Sequence, residues 1–374
     1  MRKCTTLIVF LFLFLNGIAQ NKGAIKVALL MPFCAKQINE NPKHKNADLG
    51  NACREYYQGM LIAADSLKNE GFSIDITVFD TERDTIKFKK ILATDVVQNA
   101  DFILGPVVKE GQLMMQNFKS KKNAFHLSPL FTFTKTKIID AKAISAYPDL
   151  TYYADYFLQY LKSENLTGNI IVLVGKDAAD KSLANYLKQA IKLETGFKVK
   201  MLEITKNQEI VKQFAANSNN IIFMASDDES QVNTALKSIS DSAINNRVTT
   251  FGLRKITDFK NINITNCTAS NLHIITPFYV DYNDSLTKTF ILTYRNYYET
   301  EPTEFAFVGY DQFIMSIYTY AKTNGTFKEL NKIKPFKLIA NKYMLIEKPD
   351  NGGLQNGILH ILKLEEEGLT EVSN

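Results

Sequence analysis

Two stretches of this chain are apolar almost without a break, and they limit the fold more than any other feature. Ile25 to Phe33 reads IKVALLMPF, and Asn169 to Val174 reads NIIVLV. A strand with one wet face alternates apolar and polar residues. An unbroken run instead marks a strand covered on both faces, as in a parallel sheet. Parallel neighbours cannot be joined by a tight hairpin; each pair needs a crossover, usually a helix.

The sequence supplies those crossovers twice. After the first run, Tyr56, Met60, Ala63, Ala64 and Leu67 fall on one helical face, and Gly71 ends that helix. A strand at Ile74 to Phe79, an amphipathic stretch from Thr85 to Val97, a strand at Asp101 to Val107, a helix, and a short strand at Ala124 to Leu127 follow. The series then restarts. A helix at Leu150 to Leu161 leads into the second run. Strands at Val199 to Ile204, Asn220 to Ala225 and Thr249 to Leu253 then alternate with helices around Leu183 to Ile191, Ile210 to Ala216 and Gln231 to Ile239. Leu272 to Pro277 adds a strand. Two helices follow, carrying Leu286, Phe290, Tyr294 and Tyr297, then Phe307, Tyr310, Ile314, Ile317 and Tyr318. Lys342 to Glu347 and Ile358 to Leu364 read as a hairpin around the turn-rich PDNGGLQNG. The expected fold class is α/β, with two Rossmann-like doubly wound lobes and no low-complexity linker between them.

Length agrees, since 374 residues exceed what one core usually supports. Hydrophobic residues at 45% and charged residues at 22% fit a folded globular chain, which excludes disorder and disulfide miniproteins. A net charge of +5, with no basic stripe interleaved with aromatics, leaves no footprint for nucleic acid. Met1-Arg2-Lys3, an apolar run from Leu7 to Leu15, and Asn16-Gly17-Ile18-Ala19 have the order of a secretory signal peptide spanning residues 1–19. The apolar run is too short to span a bilayer. Residues 20 and 21 are Gln and Asn, so no lipid-anchoring cysteine follows the cut. The expected location is therefore periplasmic or secreted. Of the cysteines left after processing, Cys34 and Cys53 flank a polar loop and could close it as a disulfide. The alternative is that Cys34, Cys53 and Cys267 are three small buried side chains.

Catalytic and cofactor motifs are missing. No GxSxG elbow, HExxH, EF-hand ladder or GxGxxG fingerprint occurs, so no enzyme and no cofactor is expected. Gly168 and Gly175-Lys176-Asp177 have the wrong spacing for a phosphate loop, and no CxxC or histidine cluster offers a metal site. Asp227-Asp228-Glu229 stands where capping carboxylates belong. His126 at a strand end reads as a satisfied, half-buried residue. What does stand out is the chemistry at the carboxyl ends of the strands, where open parallel sheets bind ligands. Those ends carry Pro32-Phe33, Asp80-Thr81, Gly105-Pro106, Ser128-Pro129, Asp177, Ser226-Asp227 and Thr276 to Tyr279. Hydroxyls and backbone amides can hold a carboxylate, and Asp177 or Asp227 can hold an amine. Each residue also has a plain reading as a turn or cap, but together they suit a small polar ligand.

The segments IKVALLMPF, YYQGMLIAADSL, VFDT, FILGPV, HLSPL and FAFVGYDQFIMSIYTYA resemble type 1 periplasmic binding proteins of the branched-chain amino acid-binding kind. The resemblance covers about residues 24 to 370. It implies two lobes joined by a three-crossing hinge that closes on a ligand in the inter-lobe cleft. Lobe 1 is then expected at 24–147 plus 277–328, and lobe 2 at 148–276 plus 329–374. It also implies that Gly105-Pro106 and Ser128-Pro129 hold a ligand carboxylate, that Tyr152 and Tyr153 cover the ligand, and that Asp311 in GYDQ is structural. Leu130-Phe131-Thr132-Phe133 departs from the small hydroxyl residues of amino acid binders, and no motif fixes an acidic partner for an amine. The implied partners are an amino acid-like small molecule and a membrane permease or envelope protein. The implied role is solute capture for an ABC-type transporter or sensor. The alternative is a non-catalytic scaffold or regulator of peptidoglycan enzymes, a use of this fold that lipoprotein activators of peptidoglycan synthases resemble.

Overall fold

The computed structural model describes residues 23–115, 118–129, 142–243, 247–348 and 353–372. The expected signal segment and the Leu130–Phe133 departure lie outside them. Along the chain, β1 (Ile25–Met31), α1 (Ala35–Glu40), α2 (Ala47–Asn69), β2 (Ile74–Asp80), α3 (Thr85–Leu92), α4 (Asp95–Gln98), β3 (Phe102–Leu104), α5 (Lys109–Met115), β4 (Phe125–Ser128) and β5 (Ala143–Ser145) come first. The second series is α6 (Leu150–Ser163), β6 (Gly168–Val174), α7 (Ala178–Lys192), β7 (Phe197–Glu203), α8 (Asn207–Ile210), β8 (Asn220–Ala225), α9 (Glu229–Ala243), β9 (Val248–Leu253), α10 (Ile264–Ala269) and β10 (Leu272–Thr276). It is followed by α11 (Ser285–Tyr298), α12 (Glu304–Lys322), β11 (Phe336–Lys337), β12 (Lys342–Tyr343), β13 (Leu345–Glu347), β14 (Leu354–Asn356), β15 (His360–Glu365) and β16 (Gly368–Glu371).

These elements form two compact units, crossed by the chain three times. The first runs to Tyr147 and resumes from Val280 to Gly357; the second is Pro148–Tyr279 and everything from Ile358. Each holds one seven-stranded sheet, ordered β13-β14-β5-β4-β3-β1-β2 in the first and β16-β15-β10-β9-β8-β6-β7 in the second. β1 pairs in parallel with both β2 and β3, and β6 with both β7 and β8, as two-sided burial requires.

Local chemistry sets the helix ends. Asp84 accepts from Ile86 N and Lys87 N at the start of α3, and Asp284 does the same for Leu286 N and Thr287 N at α11. The amphipathic stretch from Thr85 to Val97 is broken in two, because Thr94 caps a new short helix by accepting from Val97 N. In the second unit, apolar clusters cover both sheet faces. Phe157, Phe223 and Phe251 lie on one, and Ile171, Ile222, Leu236 and Ile274 on the other. In the first unit Leu30, Phe88 and Ile103 fill one face. The helix α12, buried for most of its length, packs along α2. Side chains are excluded from that seam: a Cβ on Gly59 would run into the Ala306 carbonyl, and one on Gly309 into that of Tyr56.

Several expectations are corrected. Residues 329–348 and 353–357 go with the first unit, not the second, because β14 pairs in parallel with β5 and β13 pairs with β14. Phe278 and Tyr279 remain with the second unit. The C-terminal hairpin is really two. β13 pairs with β14, whereas β15 lies antiparallel to β10 in the other sheet and makes its own hairpin with β16. The helix expected at Ile210 to Ala216 is the short α8 followed by a 3₁₀ turn at Val211–Gln213. Cys34, Cys53 and Cys267 are buried free thiols, so the Cys34–Cys53 bridge is not formed and the reading as small core residues holds. Asp311 is fully buried and structural: its carboxylate accepts from Ile339 N, Ala340 N, Asn341 N and Asn341 Nδ2 at 2.8–3.1 Å. Burial pushes that carboxyl up to about 7, and the four donors oppose the rise.

Candidate functional site

The parallel strands of each sheet present their carboxyl ends along one edge, and the two edges differ in chemistry. In the first unit, Met31 and Asp80 are level in the β1–β2 register. Asp80 therefore reaches back to the turn after β1. Its Oδ1 accepts from Cys34 N at 3.0 Å and Glu82 N at 2.9 Å, and its Oδ2 from Ala35 N at 3.0 Å. These bonds hold Cys34 in a left-handed conformation, φ 51°. The neighbouring Phe33 is half-buried and meets Tyr57 edge-on, ring centroids 6.0 Å apart. Asp80 thus shapes the turn that presents Phe33.

After β3, Gly105 has φ 95° and precedes a cis bond to Pro106. A side chain here would strike the Leu30 carbonyl, so this tight turn needs glycine. The Gly105 carbonyl receives a hydrogen bond of 2.8 Å from His126 Nε2. Burial pushes His126 down to about 4, so the ring is neutral and structural. Ser128 is fully buried and accepts from Gln112 Nε2 at 2.8 Å. The following Pro129 carbonyl accepts from Gln312 Nε2, whose Oε1 accepts from the Tyr56 hydroxyl. This first edge carries one carboxylate, Asp80, and its polar groups are tied to one another.

The second edge is charged. Asp177 precedes α7 in an extended conformation and makes no side-chain cap, leaving its carboxylate exposed. Asp180, one turn on, is buried beside Gly175 and Ser226, and only a glycine at 175 leaves room for it. Burial raises the Asp180 carboxyl, and Asp227 and Asp177 raise it further; the Asp177 backbone N–H and Lys255 oppose that rise. Asp227 is likewise raised by burial and by Asp177, with Lys255 opposing. The expected capping role falls to Asp228, which accepts from Gln231 N, while Glu229 accepts from the loop amide of Asn261. Thr276 at the end of β10 closes on Phe278, and the Tyr279 hydroxyl donates to the Leu369 carbonyl at 3.3 Å. Tyr152 and Tyr153, in the first turn of α6, are half-buried against the second unit's core, and burial pushes Tyr152 up to about 12.

Each expected residue therefore lies at a strand-end edge or in the first turn of a helix, but in two groups. Phe33, Asp80, Gly105, Pro106 and Ser128 belong to the first unit, and Tyr152, Tyr153, Asp177, Asp227 and Tyr279 to the second. Asp180, Gln112 and His360 escape a reading of strand ends because they lie inside α7 and α5 or open β15. A cavity of about 510 Å³ in the first unit, lined by Lys26, Asp75, Thr77, Asp95 and Lys122, opens near the opposite strand ends, away from these groups. Among the described residues, no group of His, Cys, Asp and Glu is arranged to hold a metal, and no helix is long and apolar enough to cross a membrane.

No family model matches the sequence, and no curated protein matches it significantly. Solved structures do. A Rhodospirillum rubrum protein described as a branched-chain amino acid ABC transporter aligns over 93% of this chain and 100% of its own, with a TM-score of 0.69 at 13% identity. An ABC transporter substrate-binding protein from Desulfitobacterium hafniense, in complex with Leu, aligns over 92% and 99% with a TM-score of 0.59 at 15% identity. The C-domain of LpoA from Haemophilus influenzae, a regulator of PBP1A, aligns over 93% and 99% with a TM-score of 0.62 at 11% identity. At these identities the likeness establishes the fold: two α/β units of the type I periplasmic binding protein kind.

Proposed function

We propose that this protein is a non-catalytic, extracytoplasmic solute-binding protein that takes a small amino acid-like ligand at its strand-end edges, for an ABC-type transporter or sensor. The observation that carries this reading is the difference in chemistry between the edges. The first edge offers the backbone of the turns around Phe33, Gly105-Pro106 and Ser128, suited to a carboxylate or an uncharged end. The second offers Asp177, Asp180 and Asp227, suited to an ammonium. Tyr152, Tyr153 and Tyr279 supply aromatic surface. In this fold, binding proceeds by hinge closure, and the ligand stabilises the closed state by its differential affinity. The signal-like N-terminus supports export.

A second reading, a scaffold or regulator of cell-envelope enzymes, is favoured by the LpoA C-domain, whose TM-score of 0.62 is comparable to those of the transport proteins. The internal bonding of Asp80 and Ser128 also leaves the first edge with few free groups.

A thermal-shift screen of the protein from Gln20 onward decides between them, using amino acids, short peptides and peptidoglycan fragments. A ligand at about 100 times its Kd adds ~2.7 kcal/mol and moves the midpoint by several degrees. A shift with amino acids supports solute capture. Silence across them, with a cooperative melt, sinks it and leaves the regulator.

A further inference from the structure

We propose that His360 is a ligand-binding residue of the second unit, accepting a hydrogen bond at Nε2 from an ammonium or hydroxyl group, with Glu371 as its positioning residue. The proposal rests on the solute-binding reading and deepens it. His360 opens β15, directly across from Thr276 at the carboxyl end of β10, so the ring lies on the second unit's strand-end edge. It is 2% exposed. Its Nδ1 lies 2.7 Å from Glu371 Oε1. A carboxylate can only accept, so Nδ1 carries a proton, and in the Nδ1–H tautomer Nε2 presents a bare lone pair.

That Nε2 is buried and meets no donor among the described residues. Tyr279, whose ring centre is 6.1 Å from that of His360, turns its hydroxyl to the Leu369 carbonyl. A buried acceptor without a donor is unfavourable, and a carboxylate that fixes the tautomer leaves the ring no way to relieve it. An ammonium or hydroxyl would satisfy it; a ligand carboxylate would be repelled by the same lone pair. Asp180 and Asp227, on the same edge, select for the same positive, donor-bearing end.

The test uses the protein from Gln20 onward, labelled with ¹⁵N-histidine, and the twenty L-amino acids as probes, each with its decarboxylated amine. Ring ¹⁵N–¹H correlation spectra should show His360 as the Nδ1–H tautomer. Its Nε2 signal should move upfield when a compound that shifts the melt is added. His360→Phe should weaken that compound about tenfold. His360→Gln, which restores an acceptor near Nε2, should recover most of the loss, and the decarboxylated amine should keep the Nε2 shift. An Nε2–H tautomer in the free protein overturns the proposal. So does a compound that binds while Nε2 stays put and His360→Phe binds equally well. An Nε2 already hydrogen-bonded and unmoved on binding means a bound water only. In those cases solute binding survives and His360 is structural. If no compound shifts the melt, the solute-binding reading falls, and this proposal with it.

Discussion

The two units use one strand order and reach different surfaces with it. From edge to edge, β2, β1, β3, β4 and β5 of the first sheet match β7, β6, β8, β9 and β10 of the second. The next strand in, β14 or β15, runs parallel to its neighbour in the first unit and antiparallel in the second. At the strand ends the first unit turns its polar groups on one another, through Asp80, His126, Ser128 and Gln312. The second leaves Asp177 exposed and crowds Asp180 and Asp227 around Lys255. Strand order decides where a binding edge can be; the residues just past each strand decide what it can hold.

If the first unit is the rigid partner, damage to its interior should be severe and confined. Gly309→Val would force α12 away from the Tyr56 carbonyl and should destabilise that unit by ~4 kcal/mol or more, since backbone cannot give way as a side chain can. Hydrogen exchange should show α2 and α12 exposed and β6 to β9 still protected. Equal loss in both units would erase the distinction.

Asp311→Ala leaves the amides of residues 339–341 without their acceptor and should cost the first unit ~3 kcal/mol. Limited proteolysis should then cut near β11 and β12 before any site in the second unit.

Acid should set two groups of the first unit against one another. His126 is neutral in the fold, so unfolding takes up a proton below pH ~6.5. Its contribution is full above that value and is lost as pH falls towards about 4, a range worth ~3 kcal/mol. Asp311, raised to about 7, acts in the opposite sense and is strongest in acid. His126→Gln, which keeps a donor to Gly105, should remove the acid loss; melts at pH 7 and 4.5 compared with wild type measure it.

The smallest effect belongs to the second unit. Folding raises the Asp180 and Asp227 carboxyls, so their contribution is greatest in acid and lost as pH rises through the folded values. Asp180→Asn with Asp227→Asn should therefore raise the neutral-pH stability slightly, by ~0.5 kcal/mol after solvent screening. The same change should weaken any ammonium-bearing ligand. A double variant that is less stable at pH 7 would make the acids structural after all.

These contrasts explain what could be read in the chain and what could not. Ile25 to Met31 and Gly168 to Val174 announce themselves because burial on both faces leaves an unbroken apolar run. Ala143 to Ser145 does not, since three residues are too few to carry a period. Lys342 to Glu347 looked like the partner of Ile358 to Leu364 because turn residues lie between them. Pairing is decided instead by which sheet has a free edge, and β10 claims the later strand. Strand-end residues such as Phe33, Ser128 and Asp227 follow from the pattern of elements alone. Asp180, Gln112 and His360 reach their edges only through packing, on a helix turn or across a sheet, where one-dimensional spacing is silent.

The seam between α2 and α12 bears on how such a protein could be re-engineered. Gly59 and Gly309 admit no side chain at all, while Lys176 and Asp177 after β6 and Asp227 and Asp228 after β8 are exposed. A library that randomised those four exposed positions, sparing Gly175, would keep most of its members folded. Random mutagenesis of α2 and α12 would lose variants wholesale at two positions. Recognition can therefore diversify in this chain without reopening the question of whether it folds.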